Sequence, residues 1–154
     1  MGSIEVRPVG LVRVVNQNGS ISDLIMNKEL VDALEGIEEY SHVYVLYWMH
    51  NLEAGSHGLK LHPWGNEALP LLGIFATRTQ YRPNPVGLTL VKLLAKTGNV
   101  LRVKGLDALD ETPIIDIKPF DLWDVEEYAN VKVPGWWRSA RPERWKAWQK
   151  LLGK

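Results

Sequence analysis

Cysteine is absent from this chain of 154 residues. Its absence excludes disulfide bonds, thiol nucleophiles and cysteine-ligated zinc or iron-sulfur centres, and it fits a reducing compartment. The sequence also lacks the run of ~20 apolar residues that a membrane-spanning helix needs, and its start lacks the basic and apolar regions of a signal peptide. We therefore expect a cytoplasmic protein that does not enter a membrane.

Acidic side chains are missing from residues 68–106, which carry six bases. The flanking segments are acidic, because residues 1–67 hold nine acids against four bases and residues 107–131 hold eight against one. The tail from residue 132 has one acid and seven bases. Such segregation predicts either a basic face for an anionic partner or pairing between neighbouring blocks in the folded chain, and the sequence leaves both open.

The acid-free segment contains a proline-bounded loop, Arg82-Pro83-Asn84-Pro85. A residue that precedes proline avoids the α region, so Arg82 and Asn84 are predicted to lie in a stiff extended loop. Together with Arg78 they offer donors suited to a carboxylate, a phosphate or the edge of a base. The loop is therefore a candidate part of a nucleotide-like ligand site.

Short predicted strands outnumber predicted helices along the chain. Asn27 is predicted to cap one short helix, and Pro142 to open a last one. This predominance predicts one domain of mainly β class, a small single-sheet antiparallel β-barrel with a few short helices. The predicted strands cover residues 4–14, 21–26, 40–49 (buried on both faces), 71–77, 86–95, 100–106 (a hairpin with the preceding strand) and 113–117.

Histidine and serine patterns give little sign of metal or covalent chemistry. His42, His50, His57 and His62 lack the spacing of metal ligands, so no metal site is expected. No Gly-x-Ser-x-Gly motif is present, which disfavours covalent hydrolysis. His50 follows a predicted strand and precedes Asn51, and both are candidate ligand contacts. The alternative is a histidine that only satisfies its own hydrogen bonds at the strand end.

A second polar segment follows the predicted hairpin. Asp107, at a strand end, can accept hydrogen bonds from a ribose or an amino group. Asp116 and Lys118 stand two apart on a predicted strand, so their side chains point to the same face. They are either part of a site or a plain ion pair.

Five motifs in this order resemble the TsaA-like family, of the tRNA methyltransferase O type in a short form. The resemblance runs from about Ile4 to Phe120 and leaves a Trp-rich basic extension over about 121–154, within a single domain of residues 1–154. The motifs are Gly36-Ile37-Glu38-Glu39-Tyr40-Ser41-His42, Gly73-Ile74-Phe75-Ala76-Thr77-Arg78, Arg82-Pro83-Asn84-Pro85-Val86-Gly87-Leu88, Leu106-Asp107-Ala108-Leu109-Asp110 and Asp116-Ile117-Lys118-Pro119.

The resemblance implies a homodimeric barrel that uses S-adenosylmethionine to methylate N6 of threonylcarbamoyl-adenosine beside the anticodon of tRNA. It also implies site residues. The implied substrate contacts are Arg82, Asn84 and Lys118, and Asp107 or Asp116 is the candidate if a general base assists. The implied cofactor contacts are His50, Asn51, Arg78, Leu88, Gly105, Leu106 and Asp107.

Three departures from the family pattern affect this expectation. The loop at residues 15–18 is shorter than in long bacterial members, Glu111 replaces the glycine usual before Thr-Pro, and the long members' C-terminal domain is missing. Trp136 and Trp137 in the tail either stack on anticodon-loop bases or pack in a core or a dimer. Alternative functions are a small-molecule methyltransferase on the same fold and a non-catalytic barrel that binds S-adenosylmethionine or RNA.

Overall fold

The computed structural model describes residues 2–18, 20–52, 58–125 and 131–151. Two compact units are present: residues 1–58 with 80–120 form the first unit, and residues 59–79 with 121–154 form the second. The assignment of residues 1–154 to a single domain stays a prediction. The strands are β1 (Gly10–Asn16), β2 (Ile21–Met26), β3 (His42–Trp48), β4 (Lys60–Leu61), β5 (Leu72–Gly73), β6 (Val86–Thr97), β7 (Val100–Lys104) and β8 (Pro113–Pro119).

Six antiparallel strands close the first unit into a barrel in the order β1-β2-β7-β6-β3-β8, with β8 pairing back to β1. Inward-facing side chains at alternate positions fill its interior. The mainly β, antiparallel barrel predicted from the sequence is confirmed. Its core consists of Val12, Leu24, Met26, Leu34, Val43, Val45, Tyr47, Val91, Leu101, Val103, Leu106 and Ile114.

Strand β3 shows how the apolar sequence is divided between the two faces. Val43, Val45 and Tyr47 are buried inside the barrel, whereas His42 and Tyr44 alternate with them and are half-buried. The prediction of a strand buried on both faces was therefore wrong. A run without polar residues conceals the period of two, which only the closed sheet reveals.

Closure of the barrel depends on Gly10. Its Cα pairs with Met26 on one side and with Ile114 on the other, so both neighbouring strands approach it closely. A Cβ at this position would lie 2.6 Å from the backbone oxygen of Ile25. Only glycine fits here, and β1 begins at this residue rather than at Ile4 as the alternation had predicted.

The hairpin predicted between residues 86 and 106 is confirmed. Strands β6 and β7 are joined through Gly98 and Asn99, with Thr97 paired to Val100. Gly98 has φ 58°, a conformation that glycine adopts without a steric penalty. The Asn99 side chain donates a hydrogen bond to the Met26 carbonyl oxygen at 2.6 Å, which ties the turn to β2.

Two local predictions were wrong. Asn27 does not cap the following helix with its side chain; its Nδ2 donates to the Pro8 carbonyl oxygen at 3.0 Å, and the helix at Lys28–Leu34 is a 3₁₀ helix. The strand expected at 71–77 is limited to Leu72–Gly73, because the chain then turns into the 3₁₀ helix Ile74–Ala76. In both places a tertiary contact or a tight turn overrides the local preference.

The second unit combines a two-stranded sheet of β4 and β5 with helices α1 (Gly135–Ala140) and α2 (Pro142–Leu151). The predicted helix start at Pro142 is confirmed. Residues 53–57, including His57, lie outside the described residues. Among the described helices, none has both the length and the apolar character required to cross a membrane.

A bidentate ion pair joins two strands of the barrel and predicts a pH dependence of stability. Arg102 Nε and Nη2 donate to the two carboxylate oxygens of Asp23 at 2.8 and 2.9 Å. These hydrogen bonds, followed by the charge of Arg102, hold the pKa of Asp23 below its ordinary value of 3.8, while desolvation opposes them.

Because the folded-state pKa of Asp23 is lowered, this stabilisation is present above about pH 3.8 and disappears as the pH falls through the folded-state pKa. We expect Asp23→Asn to lower the free energy of unfolding at pH 7 by on the order of 1 kcal/mol. The difference between wild type and variant should shrink below pH 3.8. Urea denaturation from pH 2.5 to 7 measures it, and a difference that does not change with pH would contradict the assignment.

Candidate functional site

A carboxylate held by two hydroxyl groups lies at one end of the barrel. Asp107, just after β7, accepts hydrogen bonds at Oδ1 from Tyr47 Oη at 2.9 Å and from Thr89 Oγ1 at 2.5 Å. The two hydroxyl oxygens are 3.3 Å apart. Tyr47 is buried, Thr89 is half-buried and Asp107 is exposed. We call these three residues the carboxylate cluster.

The carboxylate cluster depends on the glycine opposite Tyr47. Tyr47 on β3 pairs with Gly87 on β6, and its ring lies directly over the glycine. A Cβ on Gly87 would overlap the ring carbons of Tyr47. The absence of a side chain therefore leaves the space in which the Tyr47 hydroxyl reaches Asp107.

The sequence predicted Asp107 but missed Tyr47 and Thr89. Tyr47 stands in an apolar run and reads as core, and Thr89 is one polar residue in a strand. A signal was nevertheless present, since Thr89 stands two residues after Gly87, on the same inward face of β6. A hydroxyl at an inward position near a strand end requires a partner, because a buried polar group is costly without one.

The turn with His50 and Asn51 adjoins the proline loop. Met49 N–H donates to the Pro85 carbonyl oxygen at 2.8 Å, and Leu52 N–H closes the turn on the Met49 carbonyl oxygen at 3.2 Å. His50, Asn51 and Asn84 are exposed, and Arg82 is half-buried. Four predicted contacts from two distant segments thus lie at neighbouring places on the first unit.

Other predicted contacts are more dispersed. Leu88 is 46% exposed and points outward from β6, whereas the Asp107 carboxylate meets the inward-facing Thr89. The two side chains therefore occupy opposite faces of the barrel wall. Leu106 is buried in the core, and Gly105 has φ 98° and donates its N–H to the Ser20 carbonyl oxygen at 2.9 Å. Arg78 lies in the second unit, shortly after the 3₁₀ helix Ile74–Ala76.

A small cavity of about 150 Å³ lies between the β1–β2 turn and the segment after β7. Typical small-molecule sites enclose roughly 300–1,000 Å³, so this cavity has room for only part of a ligand. It lies beside Asp107, and predicted contact Leu106 is in its wall. The lining residues are Val14, Asn16, Gln17, Ser20, Ile21, Ser22, Leu106, Ala108, Leu109 and Asp110.

A larger depression of about 420 Å³ contains none of the predicted site residues. Three carboxylates, those of Asp32, Glu35 and Glu38, line it together with Lys96, which pairs with Glu38 at 2.9 Å. We therefore place the candidate site at the carboxylate cluster rather than in this larger space. Among the described residues, no three His, Asp or Glu side chains are grouped as metal ligands.

Asp116 and Lys118 form the ion pair that the sequence offered as one alternative. Lys118 Nζ lies 2.8 Å from Asp116 Oδ2, and a hydrogen bond from Lys118 to this carboxylate raises the pKa of Lys118 above its ordinary value. Asp116 Oδ1 also accepts the N–H of Ile117 at 2.9 Å. Both oxygens of Asp116 are thus occupied by partners on its own strand.

Glu111 stands where the family resemblance predicts a glycine, and its backbone conformation is one that suits glycine. It has φ 61°, in the left-handed region that costs an L-residue about 1–2 kcal/mol. Its carboxylate is 3.8 Å from Arg13 Nη2, but both side chains are more than half exposed, so this pair contributes little.

We expect Glu111→Gly to raise the free energy of unfolding by about 0.5 kcal/mol, because relief of the left-handed conformation exceeds the entropy that glycine gains in the unfolded chain. Glu35→Gly is the matched control, since Glu35 is exposed and has φ −61°. That control should be destabilised. Urea denaturation of both variants measures the effect, and equal losses of stability would count against strain at Glu111.

The first unit is a small antiparallel barrel whose polar end suits a hydroxyl-bearing ligand. A family model for the tRNA-methyltransferase O N-terminal domain matches residues 13–123. The chain belongs to this family.

Relatives and solved structures agree with the family assignment. A probable S-adenosyl-L-methionine-binding protein from Methanothermobacter thermautotrophicus is 44% identical over 128 residues, covering 76% of this chain and 90% of the relative. The tRNA (adenine(37)-N6)-methyltransferase of Escherichia coli is 36% identical over 118 residues, covering 74% of this chain and 49% of that enzyme. A crystal structure of TrmO from Pseudomonas aeruginosa has a TM-score of 0.64 and 28% identity, covering 85% of this chain and 62% of that one. The chain thus spans most of the archaeal relative but about half of the E. coli enzyme.

Proposed function

We propose that this protein is an S-adenosylmethionine-dependent tRNA methyltransferase that acts on N6 of an adenine. The carboxylate cluster is the observation that carries the proposal, with family membership behind it. The finer proposal is that the adenine is threonylcarbamoyl-adenosine beside the anticodon. A tRNA substrate would also place the protein in the cytoplasm.

The chemistry of the carboxylate cluster fits the cofactor. Tyr47 and Thr89 fix one oxygen of Asp107, while no described residue donates a hydrogen bond to its Oδ2. An exposed carboxylate oxygen held in this way accepts hydrogen bonds from the hydroxyls of a ribose. His50 and Asn51, beside the proline loop, offer further polar contacts. The family motifs also assign Arg78, Leu88, Gly105 and Leu106 to the cofactor.

When bound, S-adenosylmethionine supplies an activated methyl group on its sulfonium. The residues of the chain then have to orient the reacting atoms and exclude water. Methylation of N6 also removes one proton from that nitrogen. Of the two candidate acceptors, Asp116 is paired with Lys118, whereas Asp107 has no cation within 4.0 Å among the described residues. Asp107 is therefore the better of the two candidates for a base, which is an alternative to its proposed contact with the ribose. Arg82, Asn84 and Lys118 remain the proposed substrate contacts.

Two measurements test the proposed activity. Calorimetric titration should detect S-adenosylmethionine, and failure to bind at ~1 mM, about −4 kcal/mol, would contradict the proposal. Mass spectrometry of tRNA nucleosides after incubation with isotope-labelled cofactor should show a methylated adenosine. Cofactor binding without a methylated nucleoside would indicate a small-molecule methyltransferase or a non-catalytic barrel.

Only part of the basic segment is available for the tRNA backbone. Lys96 pairs with Glu38 and Arg102 pairs with Asp23, which links this segment to the acidic first third of the chain. Lys92 and Lys104 are different. They are opposite each other on β6 and β7, are both exposed, and form no salt bridge with a described residue.

Like charges directly opposite each other destabilise a sheet, so a phosphate between Lys92 and Lys104 would be favourable. We expect the double variant Lys92→Ala/Lys104→Ala to bind tRNA about tenfold more weakly at moderate salt and to have a smaller salt dependence. Lys28→Ala is the control, an exposed base outside the segment. Filter binding across a salt series measures both, and an unchanged salt slope would remove these lysines from the interface.

An exposed apolar stripe on the barrel supports the proposed homodimer. Val86, Leu88 and Leu90, which precede Lys92 in the outward row of β6, are 36–46% exposed. Such a stripe suits a second copy of the chain. Analytical ultracentrifugation should find a dimer for the wild type and a monomer for Leu90→Glu, and a monomeric wild type would contradict the proposal.

A further inference from the structure

Five residues of the second unit form a group of stacked rings and guanidinium groups, which we call the aromatic–arginine cluster. The Arg141 guanidinium lies 4.6 Å from the ring centre of Trp64. Trp64 meets Trp136 edge to face, with ring centres 6.1 Å apart. Arg138 on α1 lies 5.3 Å from the ring centre of Trp145 on α2. Arg141, Trp64 and Trp136 thus form one set of contacts, and Arg138 and Trp145 form a second set between α1 and α2.

The tryptophans of this cluster do not form a buried core. Trp64 is 56% exposed, and Trp136 and Trp145 are only half-buried. Packing in a core was one of two expectations for the tail tryptophans, and none of the described ones is buried. Trp64 also has φ 54°, a conformation that a bulky side chain rarely adopts. An exposed ring is therefore held in place at a cost in backbone strain.

The charge around the cluster is strongly positive. Residues 131–151 contain six bases and one acid, Glu143. None of these bases forms a salt bridge within 4.0 Å with any residue that the structure describes. Such a basic region attracts either an acidic protein or a nucleic acid. Exposed tryptophan and arginine planes favour the nucleic acid, because they stack on unpaired bases while lysines and arginines follow the phosphates.

We propose that the aromatic–arginine cluster binds unpaired RNA bases, with Trp64 as the main stacking surface. The inference rests on the proposed function, since it names the part of a tRNA that the second unit would hold. It concerns the loop rather than the base-paired stem. Helices α1 and α2 lie beyond residues 13–123, which the family model matches. Trp64 itself lies within the matched range, so the surface combines one residue of the matched domain with two helices outside it.

Fluorescence anisotropy with two labelled RNAs tests the proposal. One RNA is a hairpin with the sequence of an anticodon arm, and the other is the same stem closed as a blunt duplex without a loop. The variants are Trp64→Gly, Trp64→Phe and Arg141→Gln. Glycine relieves the positive φ while it removes the ring, so the melting temperature should not fall. Trp123→Gly is the matched control, because Trp123 is 81% exposed in the same unit and outside the cluster.

We expect the wild type to prefer the hairpin to the duplex. Trp64→Gly should weaken hairpin binding about tenfold, and Arg141→Gln should weaken it several-fold. Trp64→Phe keeps an aromatic ring and should retain most of the wild-type affinity. Trp123→Gly should stay within about twofold of the wild type. Calorimetric titration of S-adenosylmethionine should give the same affinity for all these variants.

Three results would overturn the proposal. The first is hairpin binding by Trp64→Gly that equals that of the wild type, and the second is equal binding of hairpin and duplex. The third is dissociation of a dimer by Trp64→Gly in ultracentrifugation, which would make the cluster a subunit interface. Failure of the proposed function gives a different pattern, since cofactor binding and methyl transfer would then be absent while the Trp64-dependent preference for the hairpin remained.

Discussion

Replacement of Asp107 by alanine should reduce methyl transfer at least about 100-fold. A hydrogen bond to a charged group contributes about 1.5–3 kcal/mol, and a ribose with two hydroxyls would lose two of them. The fold should survive, because Asp107 is exposed and the hydroxyls of Tyr47 and Thr89, 3.3 Å apart, can bond to each other. Calorimetric titration measures the loss of affinity for S-adenosylmethionine, and transfer of a labelled methyl group to tRNA measures the loss of activity.

Asp107→Asn separates charge from geometry. Its amide oxygen can still accept the hydrogen bonds from Tyr47 and Thr89, so its stability should match that of the wild type while methyl transfer falls. Asp32→Ala is a matched control, an exposed carboxylate in the depression away from the carboxylate cluster. Cofactor affinity of Asp107→Ala within about threefold of that of the wild type would exclude Asp107 from the cofactor site.

Gly87→Ala should lower the free energy of unfolding by about 2–3 kcal/mol and also impair methyl transfer. The new Cβ would overlap the Tyr47 ring, and overpacking of a core typically costs about 1–3 kcal/mol. The ring would have to move, which would take the Tyr47 hydroxyl away from Asp107. Urea denaturation gives the first effect, and the methyl-transfer assay gives the second.

Gly73→Ala is the matched control for Gly87→Ala. Gly73 has φ −60°, and no atom lies within 4 Å of its ideal Cβ position, so alanine should be neutral or slightly stabilising there. A double-mutant cycle sharpens the test. If the clash with the Tyr47 ring causes the destabilisation by Gly87→Ala, then Gly87→Ala should hardly lower the free energy of unfolding in a Tyr47→Val background, where the ring is missing. Additive losses would show that another contact is responsible.

Features set by local chemistry were predictable from the sequence. The hairpin turn at Gly98 and Asn99, strand β2 and the start of α2 at Pro142 all follow from residues next to each other in the chain. The start of β1 did not, because it is set where Gly10 meets strands from both sides of the barrel. The predicted helix cap at Asn27 was wrong for the same reason, because the side chain of Asn27 bonds instead to Pro8, 19 residues away.

The candidate site divides in the same way. Asp107 was predicted through its motif, whereas Tyr47 and Thr89 become partners only when β3, β6 and the end of β7 are brought together. The charge pattern was equally ambiguous. Lys96 forms an ion pair with Glu38, which is 58 residues away in the chain. The sequence of the acid-free segment alone therefore could not show which of its bases remain available for a ligand.

The seam between β1 and β8 should be the place where the barrel opens. The register of these strands includes only Gly10 with Ile114 and Leu11 with Pro113, and three more backbone hydrogen bonds extend the seam, from Val9 to Ile114, from Val12 to Thr112 and from Glu111 to Val12. In contrast, β3 pairs with β6 along its whole length. Local unfolding should therefore begin at this seam, and amide hydrogens there should exchange with solvent sooner than those between β3 and β6.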